Sequence, residues 1–199
     1  MLRRLLSSIE AWPERDAYDY CLVLQGYKVT QLSELFINPL GDEVLDFPEL
    51  MGPHAARQVA LQRFKRSAYV MLDDDQAMLP DTSFKTALAL AAHPLTGLVV
   101  IRQANSPELV AQRRSKVSGV EQSPFVCTDG GMVLGAHTAD VIRDLPPTDF
   151  LCDNTEWSLA TYTSGLMNLI DHDHWSLHWP GSKGGRRASP GQKTGGWLS

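Results

Sequence analysis

One stretch limits the folds open to this chain more than any other. Tyr69-Val70-Met71-Leu72, four residues suited to a buried strand, run directly into Asp73-Asp74-Asp75. Adjacent carboxylates repel one another and are costly to desolvate. A sheet therefore has to end here and hand its last residues to solvent or to a counter-charge. Two local explanations are open. The acids form a solvated turn, or they face a hard divalent cation, which takes oxygen ligands and offsets their repulsion. Met78-Leu79-Pro80-Asp81-Thr82 then turns the chain toward a new helix.

The flanking sequence alternates between helical and extended patterns. Leu2, Leu5, Leu6, Ile9 and Trp12 recur at helical spacing before Pro13, which predicts an amphipathic helix over residues 1–11. Tyr18 to Leu24 and Glu43 to Phe47 read as strands, with a short helix marked by Leu32, Leu35 and Phe36 between them. A long helix is expected from His54 to Arg66, a strand from Ala68 to Leu72, a helix along Phe84 to Ala91 and a strand from Gly97 to Ile101. Ser106-Pro107-Glu108 opens another helix with a cap and a first-turn proline.

Further on, Pro124 to Thr128 reads as a strand that stops at Asp129-Gly130-Gly131, Met132 to Gly135 continues extended, and Thr138 caps a helix to Asp144. Asp153-Asn154-Thr155-Glu156 has capping-box spacing ahead of a helix that stops at Gly165. Leu166 to Ile170 and Trp175 to Trp179 read as strands around Asp171-His172-Asp173-His174, where simple alternation makes a polar edge strand without metal. Strands alternating with helices predict an α/β sandwich on a mostly parallel sheet, with an antiparallel piece added late.

Composition narrows the function classes. A net charge of -5 argues against a protein that wraps nucleic acid, whose footprint would be basic, although Lys183, Arg186 and Arg187 form a local basic group in the Gly-rich stretch from Gly181. No run of about 18 apolar residues exists to span a membrane, and the first residues lack the apolar core of a signal peptide. Cys21, Cys127 and Cys152 are odd in number and far apart, beside apolar runs, which suits reduced, buried thiols in a cytoplasmic protein.

The ordered set of motifs resembles a family 2-type glycosyltransferase with the GT-A fold. Gly52-Pro53-His54-Ala55-Ala56-Arg57-Gln58-Val59-Ala60-Leu61 is similar to that family's Gly-rich turn and A-A-R-N-x-A-L helix, and the strand into Asp73-Asp74-Asp75 to its metal-binding D-x-D. Gly130-Gly131 resembles its double glycine, and Asp153-Asn154-Thr155-Glu156-Trp157 its acidic helix start. Gly165, His178 and Pro180-Gly181-Ser182 resemble its terminal strand, histidine and Ser/Gly loop. Two departures stand out. Met1 begins within what would be the helix after the family's first strand, so either the fold is abbreviated there or another strand, or a second subunit of a homo-oligomer, fills that edge. Gln25-Gly26-Tyr27 replaces the acidic pair after the second strand.

The resemblance implies a GT-A-like α/β sandwich, with residues 1–180 as a single domain and 181–199 as a tail or active-site loop. It implies transfer of a sugar from a nucleotide-diphosphate sugar to an acceptor hydroxyl on a glycan, a protein or a lipid-linked sugar, with inversion. Asp73, Asp75 and His178 would hold Mn²⁺ or Mg²⁺. Arg57, Asp74, Asp129, Gly130, Gly131, Lys183 and Arg186 would contact the donor, and Asp153 or Glu156 would be the general base. Read without the resemblance, Asp153 and Glu156 are also explained as helix-start acids. Two other functions fit the motifs: a degenerate transferase fold that binds without turnover, and a phosphatase of the haloacid-dehalogenase type. The latter expects Thr or Val where Ala77 stands.

Overall fold

The computed structural model describes residues 2–25, 43–49, 51–126, 131–146 and 153–179, without the side chains of Asp153 and Asn154. The expected helix at Leu32 to Phe36 and the stretch 181–199 lie outside these residues. In chain order the elements are α1 (Leu2–Glu10), β1 (Cys21–Gln25), β2 (Glu43–Phe47), α2 (Gly52–Arg63), β3 (Ala68–Met71) and β4 (Gln76–Ala77). They continue with α3 (Lys85–Ala91), β5 (Thr96–Ala104), α4 (Pro107–Arg114), β6 (Val120–Gln122), β7 (Met132–Gly135), α5 (Ala136–Arg143), α6 (Asp153–Thr163) and β8 (Met167–His178).

β5 organises the packing. Leu98, Val99, Val100 and Ile101 are all at most 1% exposed, as expected of a strand covered on both faces. Their side chains alternate between two cores, following the two-residue period of a strand. Val99 and Ile101 pack with Leu5, Ile9 and Trp12 around α1 and with Phe84, Ala87 and Ala91 around α3. Leu98 and Val100 pack with Leu61 of α2, Ala139 and Ile142 of α5, and Trp157 of α6. The result is a three-layer α/β sandwich. Ser106 caps α4 as its sequence predicts, its hydroxyl accepting from Leu109 N at 3.3 Å.

The main sheet runs β3-β7-β5-β8-β4, with β6 also on β8, while β1 and β2 form a separate parallel pair. The sheet is less parallel than the alternation of elements implies. Within it only β5 and β8 run parallel, whereas β3–β7, β5–β7, β4–β8 and β6–β8 are antiparallel. The cause is β7, inserted between β3 and β5 and running against both, together with short strands that close onto β8.

Four local expectations change. The late strand is Val120–Gln122, whose residues are all exposed, so nothing in their pattern marks it; of the strand expected from Pro124 to Thr128, residues 124–126 are not in a strand and the other two lie outside the described residues. Thr138 lies inside α5, not at its cap, and its hydroxyl donates to Thr96 O at 3.0 Å. Cys21 is a free thiol at an exposed position rather than a buried one; Cys127 and Cys152 lie outside the described residues. The two terminal strands are one, and the polar cluster sits within it, flanked by β5 on one side and β6 on the other.

That cluster is a bulge. Ile101 pairs with Asp171 but Arg102 pairs with Trp175, so 172–174 loop out of register. The fully buried Asp171 carboxylate makes the loop: Oδ1 accepts from Asp173 N at 2.9 Å and His174 N at 3.3 Å, and Oδ2 meets His174 Nδ1 at 2.7 Å. His172 Nε2 meets Glu121 Oε2 of β6 at 2.8 Å. Beyond the bulge, β8 recovers its register against β4 and reaches the acid turn.

At the other end of β8, Asn168 is fully buried and uses its whole amide. Oδ1 accepts from Leu98 N at 2.9 Å and the Thr161 hydroxyl at 2.8 Å, while Nδ2 donates to Pro124 O at 3.1 Å and Ser158 O at 2.9 Å. One side chain thus ties β8 to β5, α6 and the loop that precedes the second glycine.

Candidate active site

The acid triplet forms the turn between β3 and β4, and buried Gln76 closes it from both directions. Gln76 N donates to Asp73 O at 3.2 Å, and Gln76 Oε1 accepts from Asp73 N at 3.0 Å. The next residues are held from the opposite layer: Met78 N donates to Ser8 Oγ at 2.9 Å, and Trp12 Nε1 donates to Thr82 O at 2.7 Å. Thr82 Oγ1 in turn donates to Trp175 O at 2.6 Å. So α1, whose apolar stripe the sequence predicts, fixes both the acid turn and β8. Sequence reasoning did not single out Gln76 or Ser8; each is an ordinary polar residue whose partners lie far away in the chain.

Pairing of β4 with β8 places Ala77 opposite Leu177 and Gln76 opposite His178. Asp75 Oδ2 then lies 3.1 Å from His178 Nε2, and Trp179 N donates to Asp75 O at 2.8 Å. Two of the three expected metal ligands are therefore neighbours. The third, Asp73, is turned to Arg57 of α2, whose Nη2 donates to its Oδ1. Arg57 is also 6.0 Å from the Trp157 ring centre. Asp74 is exposed at the tip of the turn.

Among the described residues no three His, Cys, Asp or Glu side chains make a metal cage. The chemistry present is that of an open site. Asp75 and His178 offer one oxygen and one nitrogen, each about 30% exposed, with Asp73 on the same turn. A carboxylate or two completed by substrate phosphates is the usual way Mg²⁺ is held. The residues fit such a cation.

A second group stands on α2 and α6. His54, 1% exposed, accepts from Trp157 Nε1 through its Nε2 at 3.2 Å, and its Nδ1 lies 3.7 Å from Glu156 Oε2. Glu156 keeps 40% of its side chain exposed. Arg57 connects the two groups, so contacts run from Asp73 through Arg57 and Trp157 to His54 and Glu156. Asp153 opens α6, with its side chain outside the described residues.

Gly131 has φ +139°, and a Cβ there would fall 3.0 Å from Phe84 Cε1 and 3.1 Å from Leu72 Cδ2. The positive φ favours glycine at this position, and the close approach of these two side chains adds to that preference. Asp129, Gly130, Lys183 and Arg186 lie outside the described residues. No helix among the described residues is long and apolar enough to cross a membrane.

The described chain matches the mannosyltransferase PcManGT from Pyrobaculum calidifontis, solved in complex with GDP-Man and Mn²⁺, with a TM-score of 0.67 at 17% identity. The match covers 92% of this chain and 54% of that one. It also matches TarS 1–349 from S. aureus with a TM-score of 0.60 at 16% identity, over 89% of this chain and 56% of that one. The chain thus spans about half the length of these solved structures. No family model matches the sequence, and no curated protein matches it. The fold is the GT-A-like α/β sandwich that the motifs imply.

Proposed function

We propose that this chain transfers a sugar from a nucleotide-diphosphate sugar to an acceptor hydroxyl of a glycan, a protein or a lipid-linked sugar, by metal-assisted direct displacement with inversion. The observation that carries this reading is the contact between Asp75 and His178, made at the end of the sheet within a GT-A-like fold. A solved structure of that fold holds GDP-Man and Mn²⁺.

In this reading Asp75 and His178, with Asp73, hold Mn²⁺ or Mg²⁺. When bound, the cation takes up negative charge as the nucleoside diphosphate departs. Arg57 presents its planar fork beside Asp73 and is suited to two oxygens of a phosphate. Asp74 at the tip of the turn accepts from sugar hydroxyls, and the backbone of Gly130 and Gly131 lines the sugar beside Asp129. Lys183 and Arg186 supply positive charge to the diphosphate. A carboxylate at the start of α6, Asp153 or Glu156, removes the acceptor's proton as its oxygen bonds to the anomeric carbon and the bond from that carbon to the phosphate oxygen breaks. The diphosphate leaves with that electron pair.

Calorimetric titration of GDP and UDP with Mn²⁺, and again with a chelator, tests the donor site. Binding that needs both the metal and Asp75 is the expected result. Absence of binding by either nucleotide would sink the reading. Metal-dependent binding without release of nucleotide from any sugar nucleotide would favour a binder without turnover.

A further inference from the structure

We infer that His54 is a positioning residue that orients the Glu156 carboxylate as the base of the transfer reaction. The inference rests on the proposed transferase reading and selects between the two carboxylates it offers.

The argument starts from an indole. Trp157 Nε1 carries a hydrogen and can only donate. It lies 3.2 Å from His54 Nε2, so that nitrogen accepts and the ring's proton sits on Nδ1. A second proton on Nε2 would meet the indole N–H donor to donor, so this contact holds the imidazole neutral. The two rings meet edge to face, with centroids 5.4 Å apart at 84°, and both residues are at most 1% exposed. The tautomer and the orientation are therefore fixed together.

The fixed Nδ1–H faces Glu156 Oε2 at 3.7 Å. That distance is longer than a hydrogen bond, so the two groups attract electrostatically across a short gap. Glu156 thus has a buried anchor on one side and solvent on the other, at 40% exposure. A helix-start acid needs neither. A further charged group beside Trp157 is Arg57, which also bonds Asp73. The same indole is therefore braced from the metal-motif side and passes that bracing to His54.

Two substitutions separate the two ring nitrogens. His54→Gln keeps an acceptor where Nε2 stands and removes the donor toward Glu156. His54→Asn keeps a donor near the Nδ1 position and removes the partner of Trp157. The assay is release of GDP from GDP-mannose with Mn²⁺, with water as acceptor, alongside calorimetric binding of GDP and thermal unfolding. For H54Q we expect kcat to fall about 10- to 100-fold, the range found for residues that orient a functional group. Its KM and GDP binding should stay within about twofold of wild type. For H54N we expect a lower unfolding temperature and most of kcat retained. In an E156Q background, H54Q should cost nothing more.

An H54Q enzyme with wild-type kcat overturns the inference. So does a kcat that follows unfolding temperature across both variants, or an H54Q loss that persists in E156Q. If wild type binds neither GDP nor UDP and releases neither from a sugar nucleotide, the transferase reading has failed on its own. Nitrogen NMR of the His54 ring then decides the positioning. A neutral Nδ1–H whose proton shift moves on E156Q supports it; a ring that charges between pH 5 and 8, or is indifferent to E156Q, overturns it.

Discussion

His178 Nε2 lies 3.1 Å from Asp75 Oδ2, across 103 positions of sequence, because the two-residue strand β4 pairs with the last residues of β8. If one cation joins these side chains, they act as a unit. Asp75→Ala and His178→Ala should each remove the metal-dependent part of GDP binding, a loss of about tenfold or more. The double variant should bind no more weakly than either single one, because residues sharing one partner do not add. Additive losses in calorimetry would mean that the two side chains serve the donor separately.

Asn168→Ala should be among the most destabilising single changes in the chain. It removes a buried amide that satisfies the Leu98 N–H, the Thr161 hydroxyl and two carbonyls. Leaving such groups unpaired costs about 1–3 kcal/mol each, with partial relaxation reducing the sum. We expect a loss of about 3 kcal/mol, seen as a lower urea midpoint at unchanged slope.

Gly131→Ala should cost stability through two causes acting together. The backbone stands at φ +139°, and the new methyl would press on Phe84 and Leu72. Phe84 cannot yield freely, because it lies edge-on to Trp12 with ring centres 5.7 Å apart. A destabilisation of about 1–3 kcal/mol is expected in the same urea experiment. A neutral result would show that the loop accommodates a side chain.

Tyr18 gives the alkaline limb of stability. Burial against Trp12, followed by the Glu14 charge, pushes its hydroxyl up from 10.0 to about 12. The unfolded chain ionises this group first, so its stabilising effect is complete below pH 10 and is lost as pH rises toward 12. Urea midpoints of wild type should therefore fall relative to Tyr18→Phe between pH 9 and pH 11.5. Parallel falls would assign the alkaline loss to other groups.

Legibility in the sequence followed burial. Leu98-Val99-Val100-Ile101 reads as a strand because nothing polar is tolerated between two cores, although its central place in the sheet comes from the structure, and α1 reads as a helix because its stripe is as regular as its packing. The strand at Val120-Glu121-Gln122 did not show, since it exists only because β8 offers it an edge. The continuity of β8 across Asp171-His172-Asp173-His174 was hidden for a related reason. Four polar residues look like an interruption unless one carboxylate is seen to satisfy the strand's own N–H groups. In the site, Asp75 and His178 were identified by resemblance and meet in space. His54 was overlooked. Beside Gly52-Pro53 it reads as an ordinary helix start, and Trp157, whose indole donates to it, is 103 residues away.

The three-residue excursion at 172–174 sets the phase of everything after it. Side chains of a strand alternate, so dropping or adding one residue between Asp171 and His178 would send His178 to the opposite face and separate it from Asp75. Substitutions within the excursion would leave that spacing intact. Relatives of this chain should thus vary in residue identity between these two positions far more freely than in length.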